Sequence, residues 1–480
     1  MTQTKVDETT LGLLKGIVGE AGYLDRPDDM APYCASWRDD WVGQVPLVLR
    51  PANTQQVAAI VETCAAAGVA IVPQGGNTGL TGASQPHDTG NEVVVSLNRM
   101  TTIRALDADD ATITVDAGVV LHDVQRAASE AGFLFPLSLG AEGSCRIGGN
   151  LSTNAGGVQV LRYGNARALT LGLEVVLPDG RIWDGLRVLA KDNTGYDLKQ
   201  MFIGGEGTLG IITGAVLRLH PRPTARETAF AAVSDPRAGL AVLRLLREQM
   251  GDALSACELM RRAIIDFLLE HVPGHSDPLA DPLAQPHPWY MLIEVSGQGA
   301  PDHLRAGLED ALARAMEQGL ITDAVMATSQ GQAARFWKMR EDLAEAQKRA
   351  GVGIKHDVSV PVSQVPTFLA QADAALDAAY PGIRHCSFGH LGDGNIHYNP
   401  VAPPNWDGAR FKAETTAINR IVHDIVAKLN GSISAEHGIG RLRLSENEHY
   451  KSAVELDMMR SIKRALDPAN IMNPGKTIRV

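Results

Sequence analysis

The stretch that most limits how this chain can fold is Gly205-Glu206-Gly207-Thr208-Leu209-Gly210, followed at once by Ile211-Ile212-Thr213-Gly214-Ala215-Val216. Its glycines match the dinucleotide fingerprint G-x-G-x-x-G letter for letter. That fingerprint works where it opens a helix whose N-terminus faces a pyrophosphate. Here a β-branched run follows, which reads as a strand. A Rossmann site does not fit that context. Gly475-Lys476-Thr477 resembles the end of a P-loop, but Asn470 stands where the leading glycine is needed.

A cofactor held by several backbone loops is the better reading. Two more glycine clusters, Pro73–Ser84 and Pro136–Gly157, precede the first, and the 48 glycines of the 480 residues exceed average usage. Gly75, Gly76 and Gly79 let the chain approach a pyrophosphate and point successive N–H groups at it as an anion nest. Asn77 and Thr78 add side-chain donors. Gly148-Gly149-Asn150-Leu151-Ser152-Thr153-Asn154-Ala155-Gly156-Gly157 offers a second platform of hydroxyl and amide groups. Any one cluster alone reads as surface turns. Three within 210 residues make that bland reading improbable.

A second constellation lies far downstream, in Gly389-His390-Leu391-Gly392-Asp393-Gly394-Asn395-Ile396-His397. Asp-Gly is a strong two-residue hairpin signal, since glycine accepts the positive φ of a type I′ turn. With Asp393-Gly394 as that turn, His390 and His397 face each other across it, with Cβ atoms roughly 4.5–5.5 Å apart. Such a pair suits one metal ion, with Glu436-His437 as further members. Two histidines alone are more often incidental. Their symmetry about the turn makes the metal reading about as strong as the bland one.

Composition excludes several classes. At 480 residues the chain should split into two or three domains. No run of 18 apolar residues appears, so no membrane span is expected, and the polar first ten residues show no secretory signal. The five cysteines are scattered and form no Cys-x-x-Cys pair, which argues for a reducing, cytoplasmic location and against thiolate zinc or iron–sulfur centres. A net charge of −11 disfavours nucleic acid. An anionic substrate must therefore be drawn in by a local cationic site.

Along the chain, helices are expected over residues 8–22, 54–67, 121–131, 301–318, 333–350 and 454–466. Strands are expected at 46–51, 70–73, 93–97, 112–116, 211–219 and 289–295, with a hairpin over 173–183 about Pro178-Asp179-Gly180. His220-Pro221-Arg222-Pro223 marks a domain boundary, and the proline-rich 271–288 a loop.

Taken together, Pro73–Ser84, Pro136–Gly157, Asp192-Asn193-Thr194-Gly195-Tyr196-Asp197 and Phe202–Gly210 resemble the flavin-binding domain of the vanillyl-alcohol-oxidase/p-cresol-methylhydroxylase family. Gly389–His397, Ala435-Glu436-His437-Gly438-Ile439-Gly440 and Leu466–Lys476 resemble its FAD-linked 2-hydroxyacid dehydrogenase branch, above all the D-2-hydroxyglutarate group, with D-lactate dehydrogenases and glycolate oxidase subunits as cousins. The resemblance covers about residues 40–480. It implies an α+β protein with a two-part FAD-binding domain and an antiparallel-sheet substrate (cap) domain. The expected division is an N-terminal helical segment 1–40, FAD-binding 41–222, substrate domain 223–430, and 431–480 returning to the FAD site.

The residues that the resemblance assigns to FAD are Pro73, Gly75, Gly76, Asn77, Thr78, Gly79, Leu80, Pro136, Gly140, Ser144, Gly148, Gly149, Asn150, Ser152, Thr153, Asn154, Gly156, Glu206, Gly207, Ile211, Ile212 and Asn473. Some relatives attach the flavin through a histidine in the first loop. Asn77 follows Gly76 here and the loop has no histidine, so non-covalent FAD is expected. The implied chemistry is oxidation of a D-2-hydroxyacid, D-2-hydroxyglutarate first and D-lactate or another short acid as the alternative. A proton leaves the 2-hydroxyl and a hydride leaves C2 for flavin N5. His390, His397 and Glu436 are the implied ligands of a divalent metal, zinc by expectation. His437 is the candidate base and Asn399 a donor to substrate. Glu436 and His437 would face opposite ways on a regular strand, and Gly438 and Gly440 permit the irregular backbone that aims both inward.

Arg340 and Lys355 are implied to bind the distal carboxylate, the arginine through its planar fork. For an arginine on a charged helix, pairing with Glu341 or Asp342 is the bland alternative. The branch places a hydroxyl residue one turn after the arginine; here that position is Ala344, at a cost of about 0.5–1.5 kcal/mol for the lost hydrogen bond. A zinc hydrolase using the same three ligands would leave the flavin loops unexplained, and a non-catalytic flavoprotein would leave the metal group and His437 without purpose. Electrons must leave for an outside acceptor, an electron-transfer flavoprotein or a quinone before NAD. Oligomeric state is open, a homodimer among the options.

Overall fold

The computed structural model describes residues 6–37, 41–275 and 281–480 and divides into two compact units. The first comprises Met1–Gly157, Gly164–Arg222 and Glu436–Val480; the second comprises Val158–Tyr163 and Pro223–Ala435. Part of the N-terminal segment and residues 276–280 of the proline-rich loop lie outside the described residues.

In the first unit, helix Thr54–Ala67 begins where Asn53 accepts the Gln56 N–H and ends at Gly68, whose left-handed φ of 66° suits a residue without Cβ. It leads from strand Val48–Leu49 to Ala70–Gln74 in a sheet where these two flank Glu92–Ser96 in parallel, with Tyr23–Leu24 at the edge. A second, antiparallel sheet runs in the order Ile103–Asp107, Thr112–Asp116, Ile211–Arg218, Thr170–Val176, Ile182–Gly185. Its middle strand is the apolar run after the third glycine cluster, buried from Ile211 to Leu217. Each such fully buried Val, Leu or Ile side chain stabilises the fold by about 1.5–3 kcal/mol. The fingerprint therefore opens a strand, as its β-branched sequel implies. The C-terminal segment adds to the first sheet: Ile71 N–H donates to the Ile471 carbonyl and Asn473 N–H to the Ile71 carbonyl, both at 2.8 Å.

The second unit is built on a seven-stranded antiparallel sheet ordered Asp323–Met326, Ala225–Val233, Trp289–Gly297, Leu254–Arg261, Ser387–His390, Asn395–Tyr398, His356–Ser359. Phe230, Met260, Tyr290, Leu292, Phe336 and Phe388 are among the core residues that join it to its helices.

Two expected helices are shorter than their periodicity suggests. The first stops at Val18 because Gly19 turns to φ 66°, and a short 3₁₀ turn, Glu20–Gly22, follows. The helix expected over 333–350 is two, Gln330–Glu341 and Leu343–Ala350, separated at Asp342 with ψ −3°. The Asp342 carboxylate accepts from Lys338 (2.8 Å) and pairs with His275 (2.8 Å).

Candidate active site

The histidine hairpin forms, but in a different register from the one its symmetry suggests. His390 pairs with Asn395 and Phe388 with His397, so a four-residue loop, Leu391–Gly394, replaces the two-residue turn. A type I′ turn needs positive φ at both central residues, and of the Asp-Gly pair only Gly394 has it, at 84°. Asp393 instead caps the loop, its carboxylate accepting the Asn395 N–H at 3.0 Å. Relative to the expected register His397 is displaced by two residues, which keeps it on the same face as His390 because side chains alternate with period two. The rings are diagonal neighbours, with centroids 5.9 Å apart.

Each histidine has an acidic residue directly opposite on the next strand: Glu258 faces His390, and Asp357 faces His397. Asp357 lies 3.9 Å from His397 Nδ1 and accepts from the Asn395 amide at 3.0 Å. Ala435, the residue before Glu436, donates its N–H to the Asp357 carbonyl at 3.1 Å. Glu436 and His437 thus start from a fixed point beside that strand. Ligand-type atoms of His390, His397 and Glu436 lie within 4.8 Å of one another, and those of Asp357, Glu436 and His437 form a second such group. Glu436 belongs to both groups, and its neighbour His437 to the second. Gly438 (φ 80°) and Gly440 (φ 51°) provide the backbone freedom this needs.

Arg340 is neither on a solvated face nor paired with Glu341 or Asp342. It is buried, its Nε donates to Glu258 Oε2 at 2.6 Å, and its guanidinium sits 4.9 Å from the Phe388 ring centre. Among the described residues its two terminal nitrogens have no other hydrogen-bond partner, which leaves a planar fork for a carboxylate. The other Glu258 oxygen meets His390 Nδ1 at 2.6 Å. Burial works against the Glu258 charge, but Arg340 and His390 outweigh it and hold the carboxyl at about 2. Lys355 is exposed, one residue before strand His356–Ser359. Asn399 is buried; its Oδ1 accepts the His356 N–H at 2.9 Å and its Nδ2 donates to Gln347 at 3.1 Å. Ala344 is exposed and lies beyond the interruption at Asp342, so it does not continue the buried face of Arg340.

In the first unit the glycine clusters converge. A Cβ on Gly76 would lie 2.2 Å from the Ser144 carbonyl oxygen, and one on Gly75 3.5 Å from Gly149 N. The third cluster joins the second through Glu206 N–H to Ser152 O (2.8 Å) and Gly204 N–H to Leu151 O (2.9 Å). It also meets Pro73, whose ring lies 3.0 Å from a Cβ placed on Gly207. Asn473 completes the ring by donating to the carbonyls of Ala83 (2.9 Å) and Glu206 (2.7 Å). Burial raises the Glu206 carboxyl while the N–H groups of Ile439 and Gly440, both at 2.6 Å, pull it back. That carboxylate ties the 438–440 segment to the third cluster.

A ligand fits this cradle. The side-chain oxygen Asn150 Oδ1 is buried with no hydrogen-bond partner among the described residues, and a Cβ on Gly149 or Gly140 would meet nothing within 4 Å. Asn77 differs from its expected use. Its Nδ2 donates to the carbonyls of Pro32 and Ala35, and its Oδ1 accepts from Ser84 and Gln85, so its side chain braces the loop and only its backbone remains for a ligand. Gly76→Ala should force the two loops apart, cost about 1–3 kcal/mol and strip flavin; flavin content per protein and the melting temperature measure it. Full flavin occupancy in that variant would contradict the close packing.

Residues 222–477 match the family model described as FAD linked oxidases, C-terminal domain, and residues 45–185 match the FAD binding domain. The first match alone spans more than half of the chain. The chain belongs to the FAD-linked oxidases. The D-2-hydroxyglutarate dehydrogenase of Xanthomonas citri pv. viticola is 38% identical over 452 residues, covering 94% of this chain and 93% of that protein. The mitochondrial D-2-hydroxyglutarate dehydrogenase of Arabidopsis thaliana is 37% identical over 477 residues, covering 99% and 82%. Among solved structures, p-cresol methylhydroxylase with substrate bound aligns at a TM-score of 0.77 and 16% identity, covering 98% of this chain and 96% of that one. The fold is that of the vanillyl-alcohol-oxidase type, as the glycine clusters implied.

This FAD-linked oxidase is thus an FAD-dependent oxidoreductase, and the zinc-hydrolase reading falls. The cytoplasmic expectation is overturned: the eukaryotic relatives at this level of identity, the Arabidopsis protein among them, are named mitochondrial. Free, buried cysteines, which all five are, suit a reducing organelle matrix as well as the cytosol. Among the described residues no helix is long and apolar enough to cross a membrane.

Two acidic residues of the site escaped the sequence reading. Glu258 interrupts the apolar run of Leu254–Arg261, and Asp357 sits in the buried strand His356–Ser359. A carboxylate within the buried part of a strand was the available signal.

Proposed function

We propose that this FAD-linked oxidase converts D-2-hydroxyglutarate to 2-oxoglutarate, with non-covalent FAD and a zinc ion held by His390, His397 and Glu436. The observation that carries the proposal is the joint placement of two imidazoles, the Glu436 carboxylate and His437 in overlapping ligand groups. The Arg340 fork, at the end of helix Gln330–Glu341 and held to strand residue Glu258, is buried and is suited to a second carboxylate. The relatives named above support the diacid.

The donor set fits zinc, which in catalytic sites takes three such ligands and keeps a fourth position open. When bound, zinc supplies a Lewis acid that makes a 2-hydroxyl more acidic. When bound, FAD supplies the hydride acceptor for C2. His437 takes the hydroxyl proton, Arg340 and Lys355 hold the distal carboxylate, and Asn399 braces the substrate side from its hydrogen bonds to His356 and Gln347. The glycine loops of residues 75–79 and 148–156 receive the pyrophosphate on backbone N–H groups. An electron-transfer flavoprotein or a quinone takes the two electrons onward.

One observation favours a shorter acid: the hydroxyl expected one turn after Arg340 is replaced by Ala344, which is exposed. Arg340→Lys decides between the two, because lysine keeps the charge against Glu258 but loses the fork. The expected result is KM for D-2-hydroxyglutarate raised about tenfold or more, with KM for D-lactate within about threefold of wild type. Equal effects on both substrates would transfer the assignment to a short D-2-hydroxyacid.

A further inference from the structure

We infer that Glu258 is a positioning residue that fixes the metal ligand His390 and the substrate-facing Arg340 to one another, and so sets the distance between the two ends of the substrate. The inference rests on the metal-dependent oxidation proposed above and adds to it a residue that touches neither metal nor substrate.

Glu258 lies within strand Leu254–Arg261, directly opposite His390 on the neighbouring strand. Its carboxylate is fully buried and its two oxygens are divided between two partners: Oε1 with His390 Nδ1 and Oε2 with Arg340 Nε, each at 2.6 Å. A carboxylate paired with a guanidinium is an acceptor only, so the hydrogen in the contact with His390 belongs to Nδ1. In the neutral imidazole that a metal ligand must be, a hydrogen on Nδ1 puts the lone pair on Nε2, so the Glu258 contact selects the ligating tautomer. On the other side, the Nε contact and the Phe388 ring hold the guanidinium at two points, with its terminal nitrogens still directed elsewhere.

A purely structural role explains this arrangement poorly. Well-packed apolar side chains of similar volume are commonly as stable as a buried ion pair, so such a pair is weak as a stabilising device. It does what an apolar pair cannot: one rigid carboxylate spaces an imidazole and a guanidinium. A 2-hydroxy diacid presents its hydroxyl and first carboxylate at one end and its second carboxylate at the other. Holding His390 and Arg340 on the two oxygens of one group makes their separation a gauge for the length of that acid.

The test is Glu258→Gln in the full-length flavoprotein. The amide retains the shape but offers one oxygen for two donors. Zinc affinity, read by competition with a chromophoric chelator and independent of turnover, should fall about 10–100-fold. The ratio of KM for D-2-hydroxyglutarate to KM for D-lactate should rise about fivefold or more, with flavin content retained. Glu345→Gln, which breaks only the exposed pair with Arg349 (2.7 Å), should leave both readings at wild type. If Glu258→Gln does not fold, the double variant Glu258→Gln/Arg340→Met removes both buried charges and should still lose zinc affinity. Zinc affinity equal to wild type overturns the inference. A fall in affinity with an unchanged KM ratio overturns the coupling of the two ends. Failure of the wild-type protein to bind zinc would instead sink the proposed function, so the two failures are distinguishable.

Discussion

Replacing His437 by alanine should slow reduction of the bound flavin by D-2-hydroxyglutarate about 10²–10⁴-fold, the usual contribution of a positioned general base. The expectation rests on where the backbone holds this histidine. Its carbonyl accepts the Thr81 hydroxyl at 3.2 Å, and the next residue, Gly438, is packed so that a Cβ would lie 2.4 Å from Glu206 Oε1. Downstream the backbone is held by the Glu206 carboxylate, which accepts the N–H groups of Ile439 and Gly440 at 2.6 Å. Its imidazole shares a ligand group with Asp357 and Glu436, the place where a metal-bound hydroxyl would lie. Stopped-flow reduction under anaerobic conditions reads the effect. Flavin content and zinc affinity should stay near wild type, because the proposed ligand set is His390, His397 and Glu436. A variant reduced at the wild-type rate would remove His437 from the chemistry.

His397→Ala should have the next largest effect. It takes one of three protein ligands from the group and leaves His390 and Glu436, too few to hold zinc against solvent at ordinary concentrations. Loss of the Lewis acid is worth several kcal/mol of barrier, so flavin reduction should fall by about 10³-fold. The fold should survive, because His397 is only half-buried, its ring rests on Phe388 at 5.2 Å, and its pairing with Phe388 and Asp357 on the neighbouring strands runs through the backbone, which alanine keeps. Elemental analysis should find the zinc gone while the flavin band remains. Full zinc occupancy in the variant would mean that the metal, if used, is held elsewhere.

How far the sequence discloses these sites depends on the range of the interaction. The face shared by His390 and His397 was legible, because strand alternation is local; the register was not, because a two-residue displacement leaves every side chain on the same face. The four-residue loop was hidden by an Asp-Gly pair that also serves as its last two residues. Glu258 could not be placed, since it lies 132 residues from His390 and becomes its neighbour only through the strand order of the sheet. For the same reason the interruption at Asp342 was invisible: no Gly or Pro marks it, and one of its partners, His275, is 67 residues away.

The glycine clusters show the opposite case. Each was visible alone, and their meeting follows from contacts such as Gly76 against Ser144 that a sequence does not display. Val158–Tyr163 was likewise unreadable as part of the second unit. Its membership rests on Arg162, which donates to Ser296 O (2.6 Å), and on Leu161, which fills the space beside Gly392. Asn77 was misjudged for a related reason. Its amide groups are satisfied by Pro32, Ala35, Ser84 and Gln85, partners that become near only once the loop has closed.

The most direct test of the account is anaerobic addition of D-2-hydroxyglutarate to the purified protein, followed at the flavin absorbance band before and after zinc is stripped and restored. The account predicts a yellow protein that bleaches, stops bleaching when a chelator has removed the metal, and bleaches again on adding zinc. A protein without a flavin band, or bleaching that persists at full rate after the metal is gone, would contradict it.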